Sequence, residues 1–229
     1  MSETRVEPRG GRPSWAPAGA NVVYASVTRI APLEGHVQSV EQLPRSQWQT
    51  GDFAAAVVLD RPGAAYTVET RSGRMAEVIP GDVVVGALGA RYATLEAVGD
   101  WRDVGDDLRI DALTRAGVLG RCTSLAPASL ASLVPLRYLG HLLADGRKLV
   151  LSDFVPSLPP TELEAPVVLL IGTSMSAGKT TSARVTIRLL RERGLRVGAA
   201  KVTGVARYAD ALKMRDAGAD HVVDVVDAG

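Results

Sequence analysis

The pattern of apolar and polar positions changes near residues 156–165. Before this point, short apolar or β-branched runs alternate with turns rich in Gly, Pro and Asp, which is typical of β-strands. After it, residues 167–171 form an uninterrupted apolar run, typical of a strand buried on both faces of a parallel sheet. Consecutive prolines within 156–160 indicate a stiff linker. The pattern therefore predicts two domains, over 21–155 and 166–229.

The first domain is predicted to be mixed α/β with a small β-rich, barrel-like core. A turn over 71–74 suits a hairpin, and Pro80, Gly81 and Asp82 form a second turn. Residues 113–119 and 127–143 predict helices, the latter because its leucines recur at helical spacing. The predicted strands cover residues 21–27, 54–59, 65–70, 75–79, 83–88 and 148–151. Residues 1–20, rich in Pro, Gly, Arg and Ser, predict a disordered tail.

A phosphate-binding motif lies directly after the apolar run of the second domain. Residues 172–180 match G-x-x-x-x-G-K-[ST] at every fixed position. Glycines at both ends let successive backbone N–H groups point at a phosphate, and the following helix directs its positive end at the same anion. The residues predicted to bind the nucleotide are Gly172, Thr173, Ser174, Met175, Ser176, Ala177, Gly178, Lys179, Thr180 and Thr181.

Individual roles follow from this motif. Lys179 would neutralise the β- and γ-phosphates, and the Thr180 hydroxyl would ligate Mg²⁺. A helix over 181–193 stops at Gly194, and a second strand over 195–200 leads to Lys201. Ligands of parallel sheets lie at the carboxyl ends of the strands, so Lys201 is a candidate catalytic residue, with an ordinary surface lysine as the alternative.

A third strand over 221–226 ends at Asp227. An acidic residue at this end of a strand has the chemistry of a magnesium partner, and a surface-turn aspartate is the alternative. Only three strands are predicted after the linker, whereas a sheet usually has about five. We therefore expect the chain to be a fragment of a longer protein with an exposed sheet edge.

The second domain resembles two P-loop families. Gly172-Thr173, the Gly-Lys-Thr of the motif, Gly198 and Lys201 recur in this order in dethiobiotin synthetase, where the lysine after the second strand contacts the phosphate and substrate region. Residues 210–220 resemble molybdopterin-guanine dinucleotide biosynthesis protein B. The whole C-terminal part of the chain resembles an uncharacterised bacterial P-loop family. Dethiobiotin synthetase usually has an acidic residue where Ser174 stands here. The resemblance implies a P-loop NTPase domain.

Composition narrows the classes of function. Net charge is +1 and the apolar share is 46%, which gives no electrostatic reason to expect nucleic acid or an anionic membrane as partner. Cys122 is the only cysteine, so an internal disulfide and a zinc cluster are excluded. The sequence shows no apolar stretch near the roughly 20 residues of a membrane span. These features predict a cytoplasmic protein.

The sequence thus predicts an ATP- or GTP-binding enzyme that uses Mg²⁺. We expect phosphoryl transfer or ATP activation, by a small-molecule kinase or a ligase of the dethiobiotin type, acting on an unidentified acceptor. A nucleotide-dependent switch or cofactor-delivery protein is the alternative, and a protein-interaction module without nucleotide binding is a third. A homodimer is compatible with each of these.

Overall fold

The computed structural model describes residues 13–60, 65–127, 133–157, 165–173, 177–204 and 207–229. These residues form a large mixed β-structure followed by a smaller α/β unit, so strands and helices both occur and sheet predominates. The twelve strands of the first part are β1 Val22–Tyr24, β2 Ser39–Glu41, β3 Phe53–Val58, β4 Tyr66–Glu69, β5 Met75–Val78, β6 Val83–Leu88, β7 Ala90–Ala93, β8 Ala97–Asp100, β9 Arg109–Ala112, β10 Val118–Leu125, β11 Val134–Ala144 and β12 Arg147–Lys148.

Five of these strands close into a barrel, in agreement with the predicted barrel-like core. Pairing runs from β6 to β3, β11, β9 and β10, and a parallel pairing of β10 with β6 completes the ring. At this closure the backbones approach so closely that a Cβ on Gly86 would overlap the carbonyl oxygen of Gly117. Glycine at position 86 is therefore a condition of barrel closure. The described residues 13–157 are called the barrel domain below.

Alternating side chains of the barrel strands enter two different apolar clusters. In β3, Ala54 and Ala56 face an inner cluster, whereas Phe53 and Ala55 face an outer one. In β6, Val84 lies in the inner cluster and its neighbours lie in the outer one. Period-two alternation normally separates a buried face from a solvated one. Both faces are buried here, which explains why these two strands are continuously apolar.

The predicted helices over 113–119 and 127–143 are wrong where the structure describes them. Residues 113–117 form a turn into β10, and β11 is an eleven-residue strand, while residues 128–132 lie outside the described residues. The leucine spacing resembles that of a helix because the strand β11 shifts register between Tyr138 and Gly140. Such an irregularity changes which face alternate residues occupy, so apolar residues in one strand need not follow a period of two.

The predicted strand over 148–151 is wrong in part, because β12 covers Arg147–Lys148 and a 3-10 helix spans Leu151–Phe154, but the other predicted strands of the barrel domain agree closely with the structure. Strands β1, β3 and β6 and the hairpin of β4 with β5 lie within or next to the predicted ranges. In the described part of the predicted tail, Ala16 is buried and Trp15 packs against the outer cluster. Residues 13–20 therefore pack on the barrel rather than extending away from it. The linker prediction falls mostly on residues 158–164, which lie outside the described residues.

The smaller unit, residues 165–229 where described, contains two helices and two strands. Helix α1 spans Lys179–Glu192, β13 Gly198–Lys201, α2 Tyr208–Asp216 and β14 His221–Asp224. The two strands are parallel, and the helices pack with them around a core of Ile187, Val197, Ala211, Met214 and Val222. The predicted helix after the motif and the second and third predicted strands are confirmed. Neither helix in the described part of the chain has the length and apolar content to cross a bilayer.

The predicted strand over 167–171 is wrong. These residues have no strand assignment, and Val167, Val168, Leu169 and Ile171 are each more than 60% exposed. A buried parallel strand needs neighbouring strands and covering helices on both faces. Among the described residues, β13 and β14 pair only with each other, so each has an edge without a strand partner, as expected for an exposed sheet edge.

A buried polar network connects β3, β11 and β12 of the barrel domain. The Tyr138 hydroxyl lies 2.5 Å from Nδ1 of His141, and Nε2 of His141 lies 3.0 Å from the Asp52 carboxylate. Lys148 donates to the same carboxylate oxygen over 2.9 Å, and Trp48 packs against both rings. Burial alone would raise the pKa of Asp52, but hydrogen bonds from His141, Lys148 and the Gln49 backbone lower it overall.

Replacing Asp52 by Asn should destabilise the barrel at neutral pH by about 2 kcal/mol, because charged hydrogen bonds to His141 and Lys148 are lost. The lowered pKa means that the native carboxylate contributes fully above the unfolded-state pKa and loses its contribution as pH falls through the folded-state pKa. The difference between wild type and D52N should therefore shrink below about pH 4. Urea unfolding between about pH 3 and pH 7 measures both effects.

Asp106→Asn, on an exposed loop, is the matched control and should follow wild type at every pH. A D52N loss that stays constant into the acid range would show that the Asp52 charge does not stabilise the fold.

Candidate functional site

The two described ends of the phosphate-binding motif lie close together. Gly178 has φ +82°, a left-handed conformation that favours glycine, and it is the residue immediately before α1. A Cβ on Gly172 would lie 3.1 Å from Cγ of Lys179 and 3.3 Å from Cβ of Ala177. The beginning of the loop is thus in contact with the aliphatic stem of the lysine at its end. Ser174, Met175 and Ser176 lie outside the described residues.

The first turn of α1 presents backbone N–H groups next to Lys179 and Thr180. No side chain at the cap position accepts a hydrogen bond from this turn. The first N–H groups of a helix have no partner within the helix, and the helix dipole adds positive potential there. Lys179 and Thr180 are half-buried, and Thr173 and Thr181 are exposed. A cation, a hydroxyl and backbone donors at one helix end are suited to binding a phosphate.

Lys201 ends β13 and forms an ion pair with Asp210 in the first turn of α2. Its side chain lies along Gly204, where φ is +126° and a Cβ would be 2.8 Å from Cε of Lys201. Burial alone would raise the pKa of Asp210, but the hydrogen bond and charge of Lys201 lower it overall. The ion pair with Asp210 holds the ammonium group of Lys201 in a defined position, which an unconstrained surface lysine would lack.

The carboxyl ends of β13 and β14 bring Lys201 opposite Asp224, as expected for parallel strands. Asp224 is buried and accepts a hydrogen bond of 2.6 Å from Arg29, a residue of the barrel domain. Asp227, the predicted magnesium partner, accepts a 2.8 Å hydrogen bond from the same guanidinium group and another from the Asp224 backbone. These contacts account for one oxygen of Asp227, and its magnesium role remains a prediction.

The described residues do not form a cluster of metal-binding side chains that could hold Mg²⁺ by itself. Within the described ranges, no group of three or more His, Cys, Asp and Glu residues is arranged to hold a metal ion. Mg²⁺ in nucleotide sites is held mostly by phosphate oxygens and water with one or two protein ligands. The geometry of such a site therefore depends on the nucleotide, and Thr180 at the start of α1 is the side chain with suitable chemistry.

Two residues next to this site were missed by sequence reasoning. Arg29 bonds to Asp224 across 195 positions, and Glu69 bonds to the backbone of Tyr208 across 139 positions. Neither residue stands in a motif. Arg29 follows a short 3-10 helix and Glu69 ends β4, and the sequences of these elements indicate only local structure. Contacts of such long sequence separation left no signal in the chain.

Comparison of the chain with protein-family models, curated proteins and solved structures finds no match. The resemblance of the motif region to P-loop families is therefore an expectation from the residues alone. Support for a function therefore comes from the geometry of the described residues around Lys179 and Lys201.

The exposure of the apolar run before the motif can be tested directly by comparing Ile171 with a buried isoleucine. Ile171 is 82% exposed, whereas Ile187 of α1 is 4% exposed. Ile171→Ser should change the free energy of unfolding by no more than about 0.5 kcal/mol. Ile187→Ser, the matched substitution in the core, should cost about 3 kcal/mol. Denaturant unfolding of both variants provides the comparison, and an equal loss in the two would mean that the run is buried in solution.

Proposed function

We propose that this protein is a P-loop NTPase that binds a magnesium nucleoside triphosphate at residues 172–180. In the proposed reaction it transfers or activates a phosphoryl group for a small-molecule acceptor. The observation that carries the proposal is the geometry of the two described ends of the motif. Left-handed Gly178 leads directly into α1, and Lys179 lies against Gly172. The first turn of α1 directs its N–H groups and the positive end of its dipole toward an anion at this position.

The proposed chemistry is stabilisation of charge on the phosphates. Lys179 and the backbone N–H groups of the first turn of α1 would bind the β- and γ-phosphate oxygens. Thr180 would hold Mg²⁺, which neutralises charge developing on these oxygens. Lys201, held in place by Asp210, would orient the acceptor at the carboxyl end of β13.

A nucleotide-dependent switch is the second candidate, and one observation favours it. The start of α2, directly after the segment that carries Lys201, is bonded to Glu69 of the barrel domain. Elements that report on a bound phosphate in switch proteins move when the nucleotide changes. Stoichiometric turnover of a small acceptor would favour the enzyme, whereas slow hydrolysis stimulated only by a partner protein would favour the switch.

The function is tested by thermal stabilisation with Mg-ATP and Mg-GTP. Ligand at about 100 times its dissociation constant should stabilise the native state by roughly 2.7 kcal/mol, because it binds the folded protein only. For a chain of this size, this corresponds to a rise in melting temperature of about 5 to 10 °C. Lys179→Ala should abolish the rise, since the phosphate charge then lacks its cation. The nucleotide that gives the larger rise identifies the preferred base.

Lys213→Ala, which removes an exposed lysine of α2, is the matched control and should retain the full rise. Omission of Mg²⁺ should reduce the rise in wild type, but have little effect in Thr180→Ala, which lacks the metal ligand. Absence of any rise with either nucleotide in the wild-type chain would contradict the proposed function.

A further inference from the structure

A fully buried carboxylate of the barrel domain caps a helix of the C-terminal unit. Glu69, at the end of β4, accepts hydrogen bonds from the backbone N–H groups of Tyr208 and Ala209 over 2.7 and 2.9 Å. The Ser26 hydroxyl donates to the same carboxylate over 2.5 Å. Glu69 has no measurable solvent exposure. A buried charge requires hydrogen-bonded compensation, and the start of α2 supplies it.

The first turn of α2 depends on Glu69 for this cap. The helix begins after Arg207, whose own side chain makes no capping hydrogen bond. The first N–H groups of any helix need outside acceptors, and a negative charge at this end is also favourable for the helix dipole. Glu69 meets both requirements from a different part of the chain. The position of the start of α2 is thus set by the barrel domain.

Lys201 is connected to this cap through its ion-pair partner. Asp210 follows the capped residues Tyr208 and Ala209 directly and pairs with Lys201. The carboxylate that holds Lys201 therefore lies in the helical turn that Glu69 holds. Loosening of this turn would move Asp210, and Lys201 would lose its partner.

Arg29 contacts both α2 and the strand that pairs with the strand of Lys201. Its guanidinium group lies 4.7 Å from the ring centre of Tyr208 and 2.6 Å from the carboxylate of Asp224. Asp224 is the residue directly opposite Lys201 in the parallel register. Asp224 is therefore bonded directly to the barrel domain, whereas Asp210 follows the two residues whose N–H groups Glu69 caps.

We infer that Glu69 is a positioning residue, through which the barrel domain fixes Lys201, the residue proposed to orient the acceptor. The inference rests on the proposed function for what Lys201 contacts, but the positional coupling itself exists without nucleotide. The barrel domain thus sets the position of the start of α2 and, through Asp210, that of Lys201.

The coupling is tested by the rate of reductive methylation of individual lysines without nucleotide, followed by mass spectrometry. Glu69→Gln retains shape but removes the charge and turns an amide N–H₂ group toward a backbone donor. Methylation of Lys201 should become roughly five- to tenfold faster in E69Q, the range expected for the loss of a helix cap. Lys148 of the barrel domain is the internal reference and should react at an unchanged rate.

Two further variants separate positioning from general destabilisation. Val68→Ala removes buried volume from the inner barrel cluster next to Glu69 in sequence, and should leave the Lys201 rate unchanged. Ser26→Ala retains the carboxylate and its backbone contacts but removes the hydroxyl that orients it, so a smaller increase is expected. It replaces E69Q if that variant does not fold. Equal Lys201 rates in wild type and in the Glu69 or Ser26 variant would overturn the inference, as would an equal increase at Lys148.

Failure of this inference and failure of the proposed function give different results. A wild-type chain that shows no Mg-nucleotide stabilisation, but a Lys201 rate that depends on Glu69, contradicts the proposed function and supports the coupling. Normal Mg-nucleotide stabilisation with a Lys201 rate independent of Glu69 contradicts the coupling and leaves the proposed function intact.

Discussion

The parallel pairing of β6 with β10 closes the barrel, and the positions of the surrounding elements depend on this closure. Closure gives each of the five ring strands a partner on both sides, and β1, β2, β8 and β12 pair with the parts of β6, β10 and β11 that extend beyond the ring. It also requires close backbone contact at Gly86. Backbone hydrogen bonds attach two further segments to this ring. The turn that carries Arg29 is attached through the bond from the Val27 N–H to the Ala116 carbonyl, and the hairpin that carries Glu69 through the bond from the Glu69 N–H to the Arg115 carbonyl. Arg29 and Glu69 therefore contact the C-terminal unit from positions that the barrel fixes.

Buried charges connect the two parts of the molecule. Glu69, Arg29 and Asp224 are almost fully removed from solvent, and each finds its partner in the other part of the chain. Such contacts contribute less to stability than their Coulomb energy suggests, because desolvation offsets most of it. They are strongly directional, however, and leaving one partner unpaired is costly. The interface is therefore better suited to fixing one relative arrangement than to adding stability.

The C-terminal unit combines a well-packed inner face with an exposed apolar run. Both helices cover the core around Ile187 and Met214, and Val226 extends into the outer cluster of the barrel. By contrast, residues 167–171 lead into the motif without strand partners among the described residues. The phosphate loop is thus supported on the side of α1, while the strand side of the loop has little packing. The order of the proposed site therefore depends largely on helix α1 and on the contacts of Lys179.

The sequence by itself determined the elements whose signal is local. The turn between β4 and β5, the continuous apolar character of β6, the motif at Gly172 and the helix after it all follow from residues close together in the chain, because turn chemistry and hydrophobic period act over short distances. Leucine spacing was ambiguous in β11, where an irregularity after Tyr138 altered the alternation. The same local signal predicted a strand at 167–171, but a strand forms only where neighbours accept its backbone hydrogen bonds. Only the tertiary structure decided barrel closure and the cap of α2 by Glu69, since both unite residues far apart in sequence that carry no recognisable motif.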